Sequence, residues 1–311
     1  MMVKAKYRRF LSYVLVFFLG IPSCTSVAKK DTQHPLSHLN VSETEWGIES
    51  SDSSVKDGGL FYVVLTAPAH LGNEPVEISS TFLGKSFLFY EVSEPRRFIG
   101  LFVAEYMQKP GTYPVQISIK SAQGVEKKSL QVKVESGKYG SEKLSVAPRK
   151  VSPNKKDLIR IRKEVNQVKN IYLKKDPQKK WDSGFLIPLD SVLTSVYGTK
   201  RVFNGKMQSF HNGADFRAAI GTPILAPARG EVVLAQDLFF TGNTVILDHG
   251  LGLFTIYAHM SELKVKVGDT VSEKDLLGLS GKTGRVSGPH LHWGAVLNGM
   301  KFDPMELKKV L

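Results

Sequence analysis

From Leu60 onward the chain breaks into short apolar runs with turn residues between them: FYVVLTAP, VEISSTFLG, KSFLFYEV, RFIGLFVAEY, TYPVQISIKS and KSLQVKVES. Val115, Ile117 and Ile119 alternate with polar residues, as do Leu130, Val132 and Val134. That is the period of a half-buried strand. Ser121-Ala122-Gln123-Gly124 between these two runs predicts a hairpin loop. Many short strands at regular spacing predict an antiparallel β-sandwich over residues 59–136. The pattern changes in residues 152–176. Leu158, Ile161, Val165, Val168 and Ile171 follow spacings of 3, 4, 3 and 3, the stripe of an amphipathic helix. Ser152 suits its cap, Pro153 its first turn and Pro177 its end. The opposite face is basic, so a connecting helix packed on a neighbouring domain is expected. From Trp181 short apolar runs return: VLTSVYG, TPILAP, GEVVLAQ, NTVILDHG, LFTIYAHM and WGAVLNG. They predict a compact all-β domain without a long helix.

The beginning of the chain has another texture. Lys4, Lys6, Arg8 and Arg9 precede the run LSYVLVFFLGI, then Pro22-Ser23-Cys24. A basic start, a short apolar stretch and small residues predict an export signal over 1–24, too short for a comfortable membrane span. Ile21-Pro22-Ser23-Cys24 resembles a bacterial lipobox, although Pro22 is unusual there, which makes lipid anchoring through Cys24 an expectation. A plain cleaved signal with a chance cysteine and an uncleaved anchor are the alternatives. Cys24 is the single cysteine, so no internal disulfide forms. Residues 25–58 are polar and Ser-rich and predict a flexible tether.

The length of 311 residues suits two domains, and 42% hydrophobic with 23% charged residues is an ordinary globular mix. The net charge of +13 is uneven: residues 143–180 hold 13 Lys and Arg against 3 Asp and Glu. Residues 137–180 therefore form a basic linker carrying the helix. Such a patch favours anionic partners. Export argues against nucleic acid and for an anionic envelope polymer or lipid surface; a merely solvated linker is the plain alternative. Pro110-Gly111-Thr112-Tyr113 resembles a turn of immunoglobulin-like modules, so the sandwich is expected to be immunoglobulin-like. It could hold an envelope protein partner.

Five of the eight histidines, His211, His249, His259, His290 and His292, fall in residues 181–311. In GPHLHW, His290 and His292 share one face of a strand and Leu291 takes the other. Two imidazoles on one face suit a metal, a proton relay or one of each, or are two surface histidines. In SFHNGADF, three residues separate His211 from Asp215 on a loop entering a strand. Zinc accepts imidazole nitrogen and carboxylate oxygen. His259 closes the run LFTIYAHM.

In this order the three elements resemble the lysostaphin/LytM-type zinc metalloendopeptidases of bacterial cell walls. The resemblance covers residues 186–305 and includes SVYGTKRVFNGKMQSFHNGADFRAAIGTPILAPARGEVV and the run from NTVILDHG to GPHLHW. It implies an antiparallel β peptidase domain with His211, Asp215 and His292 as zinc ligands and His259 and His290 as catalytic histidines. His290 would be the general base. His259 would donate a hydrogen bond to the developing oxyanion or share the proton work. The implied substrates are peptidoglycan stem peptides, cut at glycine bridges or D-alanyl cross-links, and the lipoprotein-like signal favours direct links from D-alanine to diaminopimelate. Some members of the group lose zinc ligands and activate amidases instead, which is the alternative function. The implied place is the cell envelope or periplasm.

Other features read plainly. His249 in LDHG is expected in a turn, and Asn204 either lines the groove or makes a turn. The run Gly278–Gly288 lacks GxxxxGK[ST] and a following helix, so it is a groove-wall loop rather than a phosphate loop. Val267-Gly268-Asp269 resembles carrier-barrel hairpins but offers no lysine at a carrier-type tip.

Overall fold

The chain is mostly β. Its structure, a computed structural model, describes residues 44–92 and 96–310. The expected export signal, Cys24 and the first part of the tether lie outside the described residues. Nine strands come first: β1 (Gly47–Ser50), β2 (Ser54–Lys56), β3 (Leu60–Thr66), β4 (Glu77–Phe82), β5 (Lys85–Phe87), β6 (Phe89–Val92), β7 (Arg97–Val103), β8 (Gly111–Ser121) and β9 (Gly124–Glu135). They make two sheets, in order β1-β3-β7-β6 and β2-β9-β8-β4-β5. The hairpin expected at 121–124 joins β8 to β9, with Ser121 opposite Gly124. The inward positions carry aromatic rings from both sheets. Phe61 meets Phe82 edge-on at 5.2 Å, and Phe87 lies 4.8 Å from Phe102. Truncating any one of these buried rings to alanine costs about 3–5 kcal/mol.

One expectation is corrected here. Residues 47–56, read as tether, form β1 and β2, which pair with β3 and β9. The reason is burial: Trp46 packs at 5.8 Å on Phe98, and Val55 is buried. These few apolar residues are scattered among serines and show no periodicity of their own.

The second half contains β10 (Ser141–Leu144), α1 (Lys155–Tyr172), β11 (Leu193–Ser195), β12 (Lys200–Phe203), β13 (Met207–Phe210), β14 (Ala214–Arg217), β15 (Pro223–Leu225), β16 (Gly230–Leu238), β17 (Gly242–Asp248), β18 (Leu253–Met260), β19 (Glu262–Leu263), β20 (Thr270–Val271), β21 (Leu276–Leu279), β22 (His290–Leu297) and β23 (Met300–Phe302). The main sheet runs β11-β14-β22-β18-β17-β16-β20, with β23 beside β22. Two smaller sheets, β10-β12-β13 and β15-β21-β19, flank it. Strand β10, from the segment read as linker, pairs in parallel with β12.

Helix α1 starts later than the proline pattern suggests. Asn154 is its cap, and its side chain accepts from the Asp157 N–H at 2.9 Å. The C-terminal end of the stripe is buried. Ile171, with Val168 and Tyr172 beside it, packs against Leu234, Leu238, Ile246, Phe254 and Val296. Towards the N-terminus the stripe opens: Leu158 is 42% and Val165 56% exposed. There polar contacts hold the helix, from Arg160 to Asp237 and from the Phe239 N–H to Glu164. Among the described residues no helix is long and apolar enough to cross a membrane.

An aromatic seam fixes the first half against the second. Tyr106 stacks on Phe210 at 4.1 Å, and its hydroxyl donates to the Gly198 carbonyl at 3.1 Å. Phe210 immediately precedes His211, so this seam borders the histidine cluster.

Candidate metal centre

Three neighbouring strands bring the expected residues together. In the register of the main sheet, Asp215 on β14 and Ala258 on β18 both lie opposite His292 on β22. His211 stands just before β14, its backbone N–H bonded to the Thr199 carbonyl at 2.8 Å. The chain can turn so tightly here because of Gly213. A Cβ at that position would overlap the Trp293 carbonyl and the His292 ring.

Three side-chain atoms converge. His211 Nε2 lies 3.0 Å from His292 Nδ1 and 3.0 Å from Asp215 Oδ1, and His292 Nδ1 lies 2.9 Å from the same oxygen. All three residues are buried. The orientation of His211 follows from its other nitrogen. Nδ1 lies 3.0 Å from the Val196 carbonyl, which can only accept, so in the neutral ring the proton sits on Nδ1 and the lone pair on Nε2. Burial pulls the His292 pKa down to about 4, against the upward pull of Asp215, so this ring is neutral near pH 7. Burial alone would raise the Asp215 carboxyl, but its close contacts with His211 and His292 outweigh it and hold the group well below its usual range. The centre thus gathers two imidazole nitrogens and one carboxylate oxygen around one point. That donor set, at mutual distances near a hydrogen bond, fits a zinc ion.

Asp215 is held from behind. Arg201 Nη2 donates to its Oδ2 at 2.5 Å, leaving Oδ1 to the histidines. The same guanidinium reaches Glu142 on β10 at 2.5 Å and the Ser195 hydroxyl at 3.0 Å. Such outer partners orient the inner ones. Sequence reasoning did not single out Arg201 or Glu142. They are 59 residues apart in the chain and meet only because β10 pairs with β12.

The two remaining histidines flank the cluster. The His259 ring centre is 4.8 Å from that of His290 and 5.9 Å from that of His292. His259 adopts φ +64° at the end of β18, opposite an irregularity in the β17 register. A left-handed backbone is costly for a histidine and re-aims its ring. Its Nδ1 donates to the Thr283 carbonyl at 2.8 Å, and His290 Nδ1 donates to the Gly288 carbonyl at 2.9 Å. In the neutral form of each ring the lone pair is then on Nε2. For His290 that atom lies 3.7 Å from Asp215 Oδ2. Burial first, then His290 and His292, push the His259 pKa well below its ordinary value.

Two other expected positions lie apart. His249 is buried, bonded to the Arg229 carbonyl at 2.8 Å and the Thr255 hydroxyl at 2.7 Å. Asn204 clasps the chain after β10, exchanging two hydrogen bonds with the backbone of Val146.

Two cavities open onto the cluster. A groove of about 670 Å³ is lined by His211, His259 and His292 and by Val165 and Val168 of α1. A smaller one of about 220 Å³ is lined by Asp215, His290, Arg201 and the loop from Arg285 to Pro289.

The comparisons with known proteins centre on these residues. The family model described as Peptidase family M23 matches residues 209–304. A solved structure from Pseudomonas aeruginosa described as a peptidase M23 is 30% identical with a TM-score of 0.61, covering 82% of this chain and 95% of its own. Peptidoglycan DD-endopeptidase ShyA of Vibrio cholerae is 43% identical over 96 residues, which is 31% of this chain and 22% of that protein. DD-carboxypeptidase/endopeptidase Mpg of Neisseria meningitidis is 37% identical over 97 residues, 31% of this chain and 22% of that protein. The match thus spans less than a quarter of the length of these two curated relatives.

Proposed function

The chain belongs to peptidase family M23, and on that premise we propose that it is a zinc endopeptidase cutting peptide cross-links of peptidoglycan. The observation that carries this reading is the convergence of His211 Nε2, His292 Nδ1 and Asp215 Oδ1 beside two further histidines whose Nδ1 atoms are tied to backbone carbonyls. His211, Asp215 and His292 would hold the metal. A zinc ion there supplies Lewis acidity and lowers the pKa of water.

The chain's own groups then divide the proton work. Hydrolysis adds the oxygen of water to the carbonyl carbon, breaks the C–N bond and leaves one proton for the amine nitrogen. His290 accepts that proton at Nε2 and passes it to the leaving nitrogen. His259, neutral and pinned through Nδ1, has no Nε2 proton to donate to an oxyanion. Its Nε2 instead accepts a hydrogen bond and orients the water. The wall formed by Ile161, Val165 and Val168 of α1 supports an extended peptide lying in the groove.

The relatives named as DD-endopeptidases support D-alanyl cross-links as the bond cut. With that substrate the place of action is the cell envelope, and a lipid on Cys24 would anchor the protein there. Residues 59–136, as an immunoglobulin-like module, would bind an envelope partner, and 181–311 would be the peptidase domain. The basic segment 143–180 would face an anionic surface.

The test is digestion of purified sacculi by the protein, with products identified by mass. Conversion of cross-linked dimers to monomers, abolished by a chelator, restored by zinc and absent in His292→Ala, is the expected result. Undigested sacculi with zinc bound, together with stimulation of an amidase, would replace this reading by the activator one.

A further inference from the structure

Two arginines line the cavities at the cluster, Arg201 and Arg285. Arg201 is paired with Glu142 and Asp215. Arg285 has no carboxylate within ion-pairing distance among the described residues. It is nonetheless well placed. Its backbone N–H donates to the Phe240 carbonyl at 2.7 Å. Its guanidinium lies between two rings, 4.3 Å from the centre of Phe203 and 4.6 Å from that of Phe240. One Nη contacts Met207 Sδ at 3.1 Å. Aromatic faces and a thioether hold a planar cation in position but satisfy few of its five N–H donors. Burial and the neighbouring charge of Arg201 both disfavour the cation. A guanidinium kept there against these costs is poised for an anion from outside.

Its position says which anion. Arg285 lines both cavities at the cluster. In the smaller one the carboxylates, Glu142 and Asp215, are already bound by Arg201. His290 lines that cavity and His259 does not. The group that protonates the leaving nitrogen must lie beside it, so the small cavity takes the amine half of the substrate. We propose that Arg285 binds a free carboxylate on the amine-side residue of the scissile bond, so that the enzyme selects acidic cross-links over neutral ones. The proposal rests on the endopeptidase reading. A direct cross-link to the amine of a diamino acid leaves such a carboxylate on the carbon that bears the scissile nitrogen. A glycine bridge offers none.

The experiment uses cross-linked muropeptide dimers in two forms, with the carboxylate beside the bridging amide free or converted to the primary carboxamide. The ratio of kcat/KM for the two is measured for the wild type, Arg285→Gln and Arg285→Lys. Because the ratio is internal to each protein, partial unfolding lowers both rates together and leaves it unchanged. A charge-assisted pair predicts a preference for the free carboxylate of about 10- to 100-fold in the wild type. The preference should fall to about one in Arg285→Gln and to an intermediate value in Arg285→Lys, which keeps the charge but not the fork. Equal rates in the wild type, or an unchanged preference in Arg285→Gln, overturn the assignment while the endopeptidase reading stands. Failure of the wild type to cut either dimer overturns both.

Discussion

Lowering the pH should unfold the metal-free protein through three histidines that the fold keeps neutral. Burial lowers the pKa of His249 and His292 from 6.5 to about 4, and holds that of His259 well below 6.5. Each native ring therefore refuses a proton that the unfolded chain accepts. The sign follows from linkage: stability is full above the unfolded value of 6.5 and is lost as pH falls through it towards about 4. Between about pH 7.5 and about pH 5.5, one such histidine costs about 1.4 kcal/mol. Three together cost about 4 kcal/mol, a large part of the roughly 5–15 kcal/mol that holds a domain folded. Asp215 adds nothing in this window, because its unfolded value of 3.8 lies below it.

The assay is urea denaturation after metal removal, at half-unit pH steps. The slope of stability against pH should correspond to about three protons near pH 5.5. His249→Asn should reduce it by about one proton, because that ring lies outside the cluster and titrates independently. A wild-type slope near zero over this range would refute the claim that these rings are buried as neutral bases, and with it the argument that His292 and His259 offer lone pairs at neutral pH.

Other substitutions probe the same construction. Arg201→Met leaves Asp215 Oδ2 without its donor, and breaking such a buried pair should destabilise the metal-free protein by about 3 kcal/mol in the same urea assay. Gly213→Ala drives a methyl into the Trp293 carbonyl and the His292 ring, so zinc competition against a chromophoric chelator should show at least a tenfold loss of affinity. His290→Ala should bind zinc with wild-type stoichiometry yet lose about 10²- to 10⁴-fold in turnover of muropeptide dimers; loss of the metal instead would move His290 into the ligand set.

Some of this was visible in the sequence because it is local. The alternation at 115–119 and 130–134 became the two longest strands, β8 and β9. One residue between His290 and His292 on a strand already put both side chains on one face. What periodicity does not carry is register and distant pairing. That Asp215 faces His292 depends on how β14 aligns with β22, 77 residues later in the chain. The pairing of Arg201 with Glu142 depends on β10, whose four residues SEKL show no strand signal amid a basic stretch. The stripe of α1 was legible as a helix, but nothing in it told that Leu158 and Val165 would stay open while Ile171 was covered. That depends on where the edge of the main sheet ends.

The same distant pairings bear on how the site is held. His211, His259 and His290 each fix their tautomer on a backbone carbonyl, and the three carbonyls belong to Val196, Thr283 and Gly288. Asp215 takes its second oxygen to Arg201, which is anchored on β10. No element supplies both a cluster residue and its support: β14 and β22 bring Asp215 and His292, while loops and β12 orient them. A change at β10 or in the loop from Thr283 to Gly288 therefore reaches the centre without touching a candidate ligand. The loop also carries Arg285, so one segment holds the Nδ1 atoms of His259 and His290 and the guanidinium proposed to meet substrate. On the proposed reading, a carboxylate seated on Arg285 would brace the carbonyls of Thr283 and Gly288 and, through them, the rings of His259 and His290.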